Sequence, residues 1–437
     1  MTDHERVIRA NFRRNFIVNV SDVGFYLLGM AVVSSGSVLP LYLLHLTSNP
    51  VLIGLIPSLQ FLGWRLPQLF TANWVSRMPR KLPYVLWISL NERLPLLFLG
   101  LFIIFWRSAD NGLTLAIVFL LLGWGALGGG LLATPWQEFV AKIIPPRRWG
   151  LFFGTGNALG AVLGVGGAAL SAYLLARYGY PSGFAYCFLA AFGFVVISFF
   201  SLALSVEPAV EPTAPRVSQL AFMRQLPDVL RRDANFRNYL LVRSFGAFSG
   251  MGAAFMAVHA VERYHLGDSA AGTFTAVALA ATAILNPVLG HLGDRRSHKT
   301  VLGLSYSFLA LSMVLAALAP SLPLFLLAFA IRAGSDAAFM SSGMTIIFEF
   351  CDPEDRPMYI GLGNTLTAPP LLVVPLIGGA VAAAFGYVGV FWASAALSLL
   401  SVVAWERLVR DPRRRVLPGA AAAANGRHGI PQLQEVE

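Results

Sequence analysis

The sequence predicts an all-α integral membrane protein, its twelve transmembrane helices arranged as two pseudo-symmetric six-helix bundles. Three observations carry that expectation. Of 437 residues, 56% are hydrophobic and only 12% charged, with a mean hydropathy of +0.66; a soluble domain carries about 25% charged residues. Apolar runs of about 20 residues, enough to cross about 30 Å of hydrocarbon, recur along the chain. The short alternating segments that a membrane barrel requires are absent.

Taken in order, residues 1–15, MTDHERVIRANFRRN, form a polar and basic cytoplasmic segment with no cleavable signal pattern ahead of the first long helix. Spans follow near 16–44, 51–75, 82–106, 113–138, 151–176 and 182–206, making an N-terminal bundle over 16–206. The stretch 207–237 is the most polar inside the chain. It is Pro-rich at first and then patterned as a short amphipathic helix for the membrane face, and it reads as a cytoplasmic central loop. Spans near 238–261, 269–293, 300–319, 322–348, 360–384 and 387–407 make the C-terminal bundle over 238–407. Residues 408–437, ending in AAAAANGRHGIPQLQEVE, read as a disordered cytoplasmic tail.

The net charge of +10 does not point to nucleic acid, because its placement follows the membrane. About 25 of the 32 Lys and Arg fall in the termini and every second loop, the positive-inside asymmetry. The chain is therefore expected to be a multi-pass protein of the cytoplasmic (inner) membrane with both termini in the cytoplasm. Cys187 and Cys351 offer no disulfide framework. No phosphate loop, nucleophile triad, cofactor fingerprint or zinc-ligand spacing is present, so no enzymatic activity, cofactor or metal is expected.

The two halves echo each other. FRRNF at Phe12–Phe16 resembles FRNY at Phe236–Tyr239, and GTGNAL at Gly154–Leu159 matches GLGNTL at Gly361–Leu366. Duplicated six-helix units are a habit of secondary transporters, with the ligand site near midplane between the repeats.

A loop motif adds a resemblance. GHLGDRRSHK, Gly290–Lys299, resembles the G-x-L-x-D-R-x-G-R-K loop of the major facilitator superfamily. Gly290, Leu292, Asp294, Arg295 and Lys299 match, while Ser297 and His298 depart from it. The equivalent loop of the first half keeps Arg77, Arg80 and Lys81 but has Ser76 in the aspartate's place, and Pro135–Gly154 is similar to the family's connection between helices 4 and 5. The resemblance implies a cytoplasmic gate built from Gly290, Asp294, Arg295, Lys299, Arg77 and Arg356, in which a helix-end carboxylate meets the positive end of a neighbouring helix. It also implies a central cavity lined by helices 1, 4, 7 and 10. The signatures of the family's proton-coupled drug exporters are missing: Trp124 stands near the place of those exporters' helix-4 arginine, and helix 5 lacks the motif proline.

Charges inside the spans are the candidate site, since each costs at least ~2.5–3.5 kcal/mol at mid-bilayer unless it is paired or lines water. Arg65 lies twelve residues before Arg77 and Glu92 eleven after Lys81, so both sit roughly 16–18 Å from the cytoplasmic end and can pair. That pair is either a brace between helices 2 and 3 or a coupling site, and Arg93, about 100° round the helix from Glu92, needs another partner. Arg332 and Asp336, four apart on helix 10, share a face and form either a self-neutralising pair or a cavity site. Asp22, with Asn19 beside it on helix 1, either handles a proton or substrate or pairs with Arg243. Gly125, Gly128, Gly129 and Gly130 leave helix 4 bare, for a ligand or for close packing. His259, Glu262, Arg263 and His265 read as a solvated rim; Asn157 and Asn364 as backbone-bonding groups; Pro369, Pro370 and Pro375 as a kink in helix 11.

The expected function is secondary active transport of a small organic solute by alternating access, coupled to protons through Asp22, Asp336 or Glu92. Membrane lipids, the solute and H+ are the expected partners, nucleic acid is not, and the chain is expected to act as a monomer. A lipid flippase of the same fold, or a transporter-like sensor or scaffold that binds without moving its ligand, are the alternatives.

Overall fold

The computed structural model describes residues 3–65, 67, 68, 71, 78–106, 110–145, 148–209, 228–343, 345–351 and 356–414. The expected Arg77, and most of the central loop and tail, lie outside them; so do the side chains of Arg65, Arg356 and Asn364.

The described chain is helical throughout. Span 1 is Asp3–Val32, so the basic N-terminal stretch is continuous with the helix. The sequence predicted one helix to residue 44. Instead the chain breaks at 33–37, VSSGS, where Ser34 O accepts from Ser37 N and Leu39 N, and resumes as a short helix, Val38–Leu44. Three serines and a glycine in five residues, poor helix formers all, explain the break. Span 2 is Pro50–Arg65, span 3 Leu82–Phe105, span 4 Asn111–Ile143, span 5 Trp149–Tyr178 and span 6 Ser182–Ala203. Asp110 caps span 4 by accepting from the Gly112 and Leu113 amides.

Span 7 has three parts: Ala234–Ala247, a 3-10 stretch Phe248–Phe255, and Met256–Tyr264. Span 8 is Ala270–Arg295, span 9 His298–Leu318 and span 10 Leu322–Ser342, followed by a short helix Thr345–Phe350. Arg356–Leu408 supplies spans 11 and 12, divided at Gly386, whose φ of 70° only a residue without Cβ adopts readily. The helix is not unwound at Pro369, Pro370 and Pro375, and Gly386 makes the turn between spans 11 and 12 where the sequence expected one span to end and the next to begin.

Among the described residues, ten helices are long and apolar enough to cross a membrane. Residues 366–408 hold two crossings, and Pro50–Trp64 adds a shorter apolar helix, which is consistent with twelve. Within the first half, span 1 packs on spans 5 and 6, and span 3 on spans 4 and 6. Within the second, span 10 packs on spans 8 and 9, and spans 11 and 12 on spans 7 and 9.

The same clamp closes each half. Asn15 donates to Val206 O (2.9 Å) and accepts from Val206 N (2.8 Å); Asn235 does the same with Arg410 O and N, at 2.9 and 2.8 Å. The repeat register at this point thus aligns Asn15–Phe16 with Asn235–Phe236, three residues from the alignment that the FRRNF and FRNY strings suggested.

The halves meet across spans 2 and 11 and across spans 5 and 8. At the first seam a Cβ on Gly54 would collide with Pro375 O, and one on Gly379 would lie 2.6 Å from Val51 Cα. At the second, Gly272 fits against Ala168 O and Ala172. Ser37 Oγ and Thr275 Oγ1 are 2.6 Å apart, and His45 Nε2 lies 2.9 Å from Asp268 Oδ2. All these contacts sit toward the ends of the spans remote from the chain termini. On the terminus-bearing side each half keeps its own core, around Val85, Phe139 and Phe152 in one and around Phe236, Phe350 and Trp405 in the other. Among the described residues the bundles are therefore closed on the far side and parted on the terminus-bearing side.

Candidate functional site

Span 3 carries Asn91, Glu92 and Arg93, and successive residues on a helix point about 100° apart, so each addresses a different neighbour. Asn91 Oδ1 accepts from Trp124 Nε1 of span 4 at 3.1 Å. Glu92 Oε1 accepts from Tyr26 OH of span 1 at 2.6 Å. Arg93 reaches span 6, where Nε donates to Val195 O and Nη2 to Ser198 Oγ, both at 3.0 Å; Nη1 donates to Ser89 O at 3.2 Å.

The Arg93 partner that the sequence left open is Asp22, not the membrane surface. Arg93 Nη2 lies 3.7 Å from Asp22 Oδ1, and its Nη1 lies 4.0 Å from Glu92 Oε2. Ser198 links the pair by donating to Asp22 Oδ1 at 2.6 Å, and Trp136 Nε1 donates to Oδ2 at 3.3 Å. Both charges are buried, Arg93 at 3% exposure and Asp22 at 4%. Such a group survives in low dielectric only with this kind of pairing and hydrogen bonding. Arg243, the alternative partner for Asp22, instead donates to Tyr239 OH at 2.6 Å and lies over the Phe339 ring at 4.7 Å. Glu92 is engaged by Tyr26 and Arg93, while the expected Arg65 contact falls on a side chain outside the described set.

Two hollows flank this network inside the N-terminal bundle. One, of about 210 Å³, is lined by Asp22, Glu92, Arg93, Trp136, Gln137 and Asn157 among others. The second, of about 400 Å³, is mostly apolar, with Met30, Phe61, Pro95 and Leu121 in its wall. Tyr26, Trp64, Glu92 and Gly129 line both.

The glycines of span 4 divide between the two roles foreseen for them. A Cβ on Gly128 would lie 2.5 Å from the Asn91 backbone, and one on Gly130 would strike the Gly63 carbonyl, so these two serve close packing. Gly129 faces a side chain instead: its Cβ would lie 2.7 Å from Glu92 Oε1. Gly125 has ordinary clearance from Pro95, at 3.6 Å.

Asn19, predicted beside the site, is fully buried and donates to Asn15 O and Ser205 Oγ, away from both hollows. Trp124 stacks on Phe98 at 5.8 Å and steadies Asn91. Arg332 and Asp336 form the expected pair at 2.8 Å on span 10, with the Asp336 side chain 49% exposed. Phe339, on the same face one turn on, meets Arg243 of span 7. In the loop motif Lys299 Nζ bonds Glu406 at 2.7 Å, while Arg295 is exposed. Asp294 is exposed too, its carboxylate 3.6 Å from His298 in the first turn of span 9. Gly290 sits in open packing near Ser341. The rim reading of His259 needs correction: its ring is buried among Phe325, Tyr387 and Phe391, whereas Glu262, Arg263 and His265 are exposed.

Sequence reasoning missed Tyr26, Ser198 and Gln137. Tyr26 carried a signal, lying four residues after Asp22 on one helical face. Ser198, one of three serines in span 6, carried none.

Residues 239–428 match the family model described as Major Facilitator Superfamily. A stretch of 193 residues is 24% identical to the MFS-type transporter TOXA of Cochliobolus carbonum, covering 43% of this chain and 32% of that protein. Another of 132 residues is 31% identical to the efflux pump apf11 of Gibberella fujikuroi, covering 30% and 23%. The matches thus span a third or less of these relatives. In fold, the chain is similar to the nucleoside transporter NupG, with a TM-score of 0.70 at 12% identity over 91% of this chain and all of that one. It is similar also to a bacterial homologue of the human lysosomal transporter Spinster in an inward-facing, unoccupied state (0.67, 14%, 94% and 100%) and to inward-open XylE of E. coli (0.67, 13%, 93% and 99%). This is a multi-pass membrane protein with the two-bundle transporter fold. Over its second half the chain is similar to the major facilitator superfamily.

Proposed function

We propose that the protein is a secondary active transporter that moves a small organic solute across a membrane by rocking its two bundles about a midplane site. One observation supports the reading: among the described residues the bundles meet on one face only, and buried ionisable groups border hollows inside the first bundle. A static scaffold has no need for carboxylates at that depth, where each must be matched by costly partners. The parted face is the one bearing Arg80, Lys81, Lys142, Arg295 and Lys299. The positive-inside rule puts it in the cytoplasm, so this is an inward-open state. The protein works as a monomer among the lipids of the cytoplasmic membrane. Export is the direction to test first, because the similar apf11 is an efflux pump.

Protons drive the cycle through Asp22, Glu92 or Asp336. Asp22 and Glu92 share one guanidinium, so neutralising either by protonation frees Arg93 to strengthen its hold on the other. The test begins with a melting-shift screen of the purified protein against metabolites and drugs. The flux of a hit is then measured in proteoliposomes with and without a pH gradient, in wild type and in Asp22→Asn, Glu92→Gln and Asp336→Asn. Gradient-driven flux lost in at least one variant supports coupling; flux indifferent to the gradient in all four proteins removes it.

A further inference from the structure

We infer that the two hollows of the N-terminal bundle form the binding subsite for a small amphipathic organic cation, with Glu92 as its counter-charge and Trp64 beside it. This rests on the transport reading for its purpose, but not for its geometry.

The argument begins with how many interactions each carboxylate already has. Asp22 is the better served: it receives two hydrogen bonds, from Ser198 and Trp136, faces Arg93 at 3.7 Å, and lines only the smaller hollow. A carboxylate offers about four acceptor sites, and Glu92 receives one hydrogen bond, from Tyr26. Arg93 stands 4.0 Å from it, at the limit of contact, and directs its N–H groups to Val195, Ser89 and Ser198 instead. Among the described residues the lining therefore holds two carboxylates against one guanidinium, with the unspent negative charge on Glu92, at the junction of the hollows.

The surroundings suit a cation with an apolar body. Trp64, 42% exposed, lines both hollows, and an aromatic face attracts a cation. The larger hollow, about 400 Å³ and walled by Met30, Phe61, Pro95, Leu96 and Leu121, is of drug-like size. Gly129 keeps this junction open, since any side chain there meets the Glu92 carboxylate. Among the described residues of spans 7 and 10, Asp336 is matched by Arg332 at 2.8 Å, and Arg243 is held by Tyr239 and Phe339.

The test uses the full-length protein in detergent and two probes of similar size, benzyltrimethylammonium and benzenesulfonate, with binding read by isothermal titration. The expected result is saturable binding of the cation, at least tenfold tighter than the anion. The cation should be weakened at least tenfold by Glu92→Gln and also by Gly129→Ala and Trp64→Ala, in variants whose melting temperatures show them folded. Equal affinity for both probes, preference for the anion, or cation binding untouched by Glu92→Gln and Trp64→Ala would overturn the inference. Binding without any flux in liposomes would defeat the transport reading and leave this one standing. Flux of an anionic or neutral solute by a protein that ignores the cation would do the reverse.

Discussion

Replacing Arg93 by methionine, of similar length and volume, isolates the worth of its charge. The variant loses three hydrogen bonds from a guanidinium, each worth ~1.5–3 kcal/mol when a charged group takes part, to Val195 O, Ser89 O and Ser198 Oγ. It also leaves Asp22 and Glu92 facing each other in a buried site without the cation between them. Local relaxation returns part of that sum, so the expected destabilisation is ~3–5 kcal/mol, the usual cost of removing one member of a buried pair. The triple variant Asp22→Asn, Glu92→Gln, Arg93→Met should recover more than ~2 kcal/mol of the loss, because no unpaired charge remains: the amide at position 22 can accept from Trp136 and donate to Ser198 Oγ, and that at position 92 can accept from Tyr26. Equilibrium unfolding in dodecylmaltoside–SDS micelles, followed by tryptophan fluorescence, measures both. If Arg93→Met is as stable as wild type, or the triple variant is the least stable of the set, the network is not what joins spans 1, 3 and 6.

Four further perturbations probe the rest of the frame. Gly379→Val should wedge spans 2 and 11 apart at the closed face, where even a Cβ lies 2.6 Å from Val51 Cα. Overpacking of ~1–3 kcal/mol should raise thiol labelling of a Ser37→Cys reporter about tenfold, and unchanged labelling would contradict the seam. Asp268→Asn removes the charge opposite His45, a partly exposed pair worth ~0.2–1 kcal/mol, so labelling of the same reporter should rise only about twofold. Trp405, 1% exposed and donating to Lys299 O, should cost ~3–5 kcal/mol as alanine and ~1 kcal/mol as phenylalanine, which keeps most of the packing. Asn15→Ala strips a buried clamp and should cost ~1–3 kcal/mol, whereas Asn235→Ala, whose clamp is exposed to water, should cost only ~0.5–1.5 kcal/mol; equal losses in equilibrium unfolding would contradict that difference in burial.

The number and order of spans were readable because hydrocarbon thickness fixes a minimum apolar length. The break after Val32 was not foreseen, because Val38–Leu44 is itself apolar and hides the polar VSSGS between two greasy runs. Depth along each helix was also readable, and it put both Asp22 and Glu92 well inside the membrane. What a single sequence does not carry is the azimuth of one helix against another. The local pair Arg332–Asp336 was therefore foreseen, and the cross-helix choice of Arg93 for Asp22 was not. The glycine run of span 4 shows the same division: its smallness was plain, but which glycine touches backbone and which faces a carboxylate depends on rotations of a few tens of degrees.

The 3-10 stretch Phe248–Phe255 gives span 7 an adjustable pitch. At a rise of about 2.0 Å per residue its eight residues cover about 16 Å, against about 12 Å if wound as an α-helix. Rewinding them would draw the outer segment Met256–Tyr264 inward by about 4 Å and turn it by about 160°. His259, now lodged between Phe325 and Phe391, would be screwed out of its socket by that turn, and Glu262 would come round the opposite side. Eight small and apolar residues, three of them Gly250, Gly252 and Ala253, thus set the reach and facing of everything distal to them.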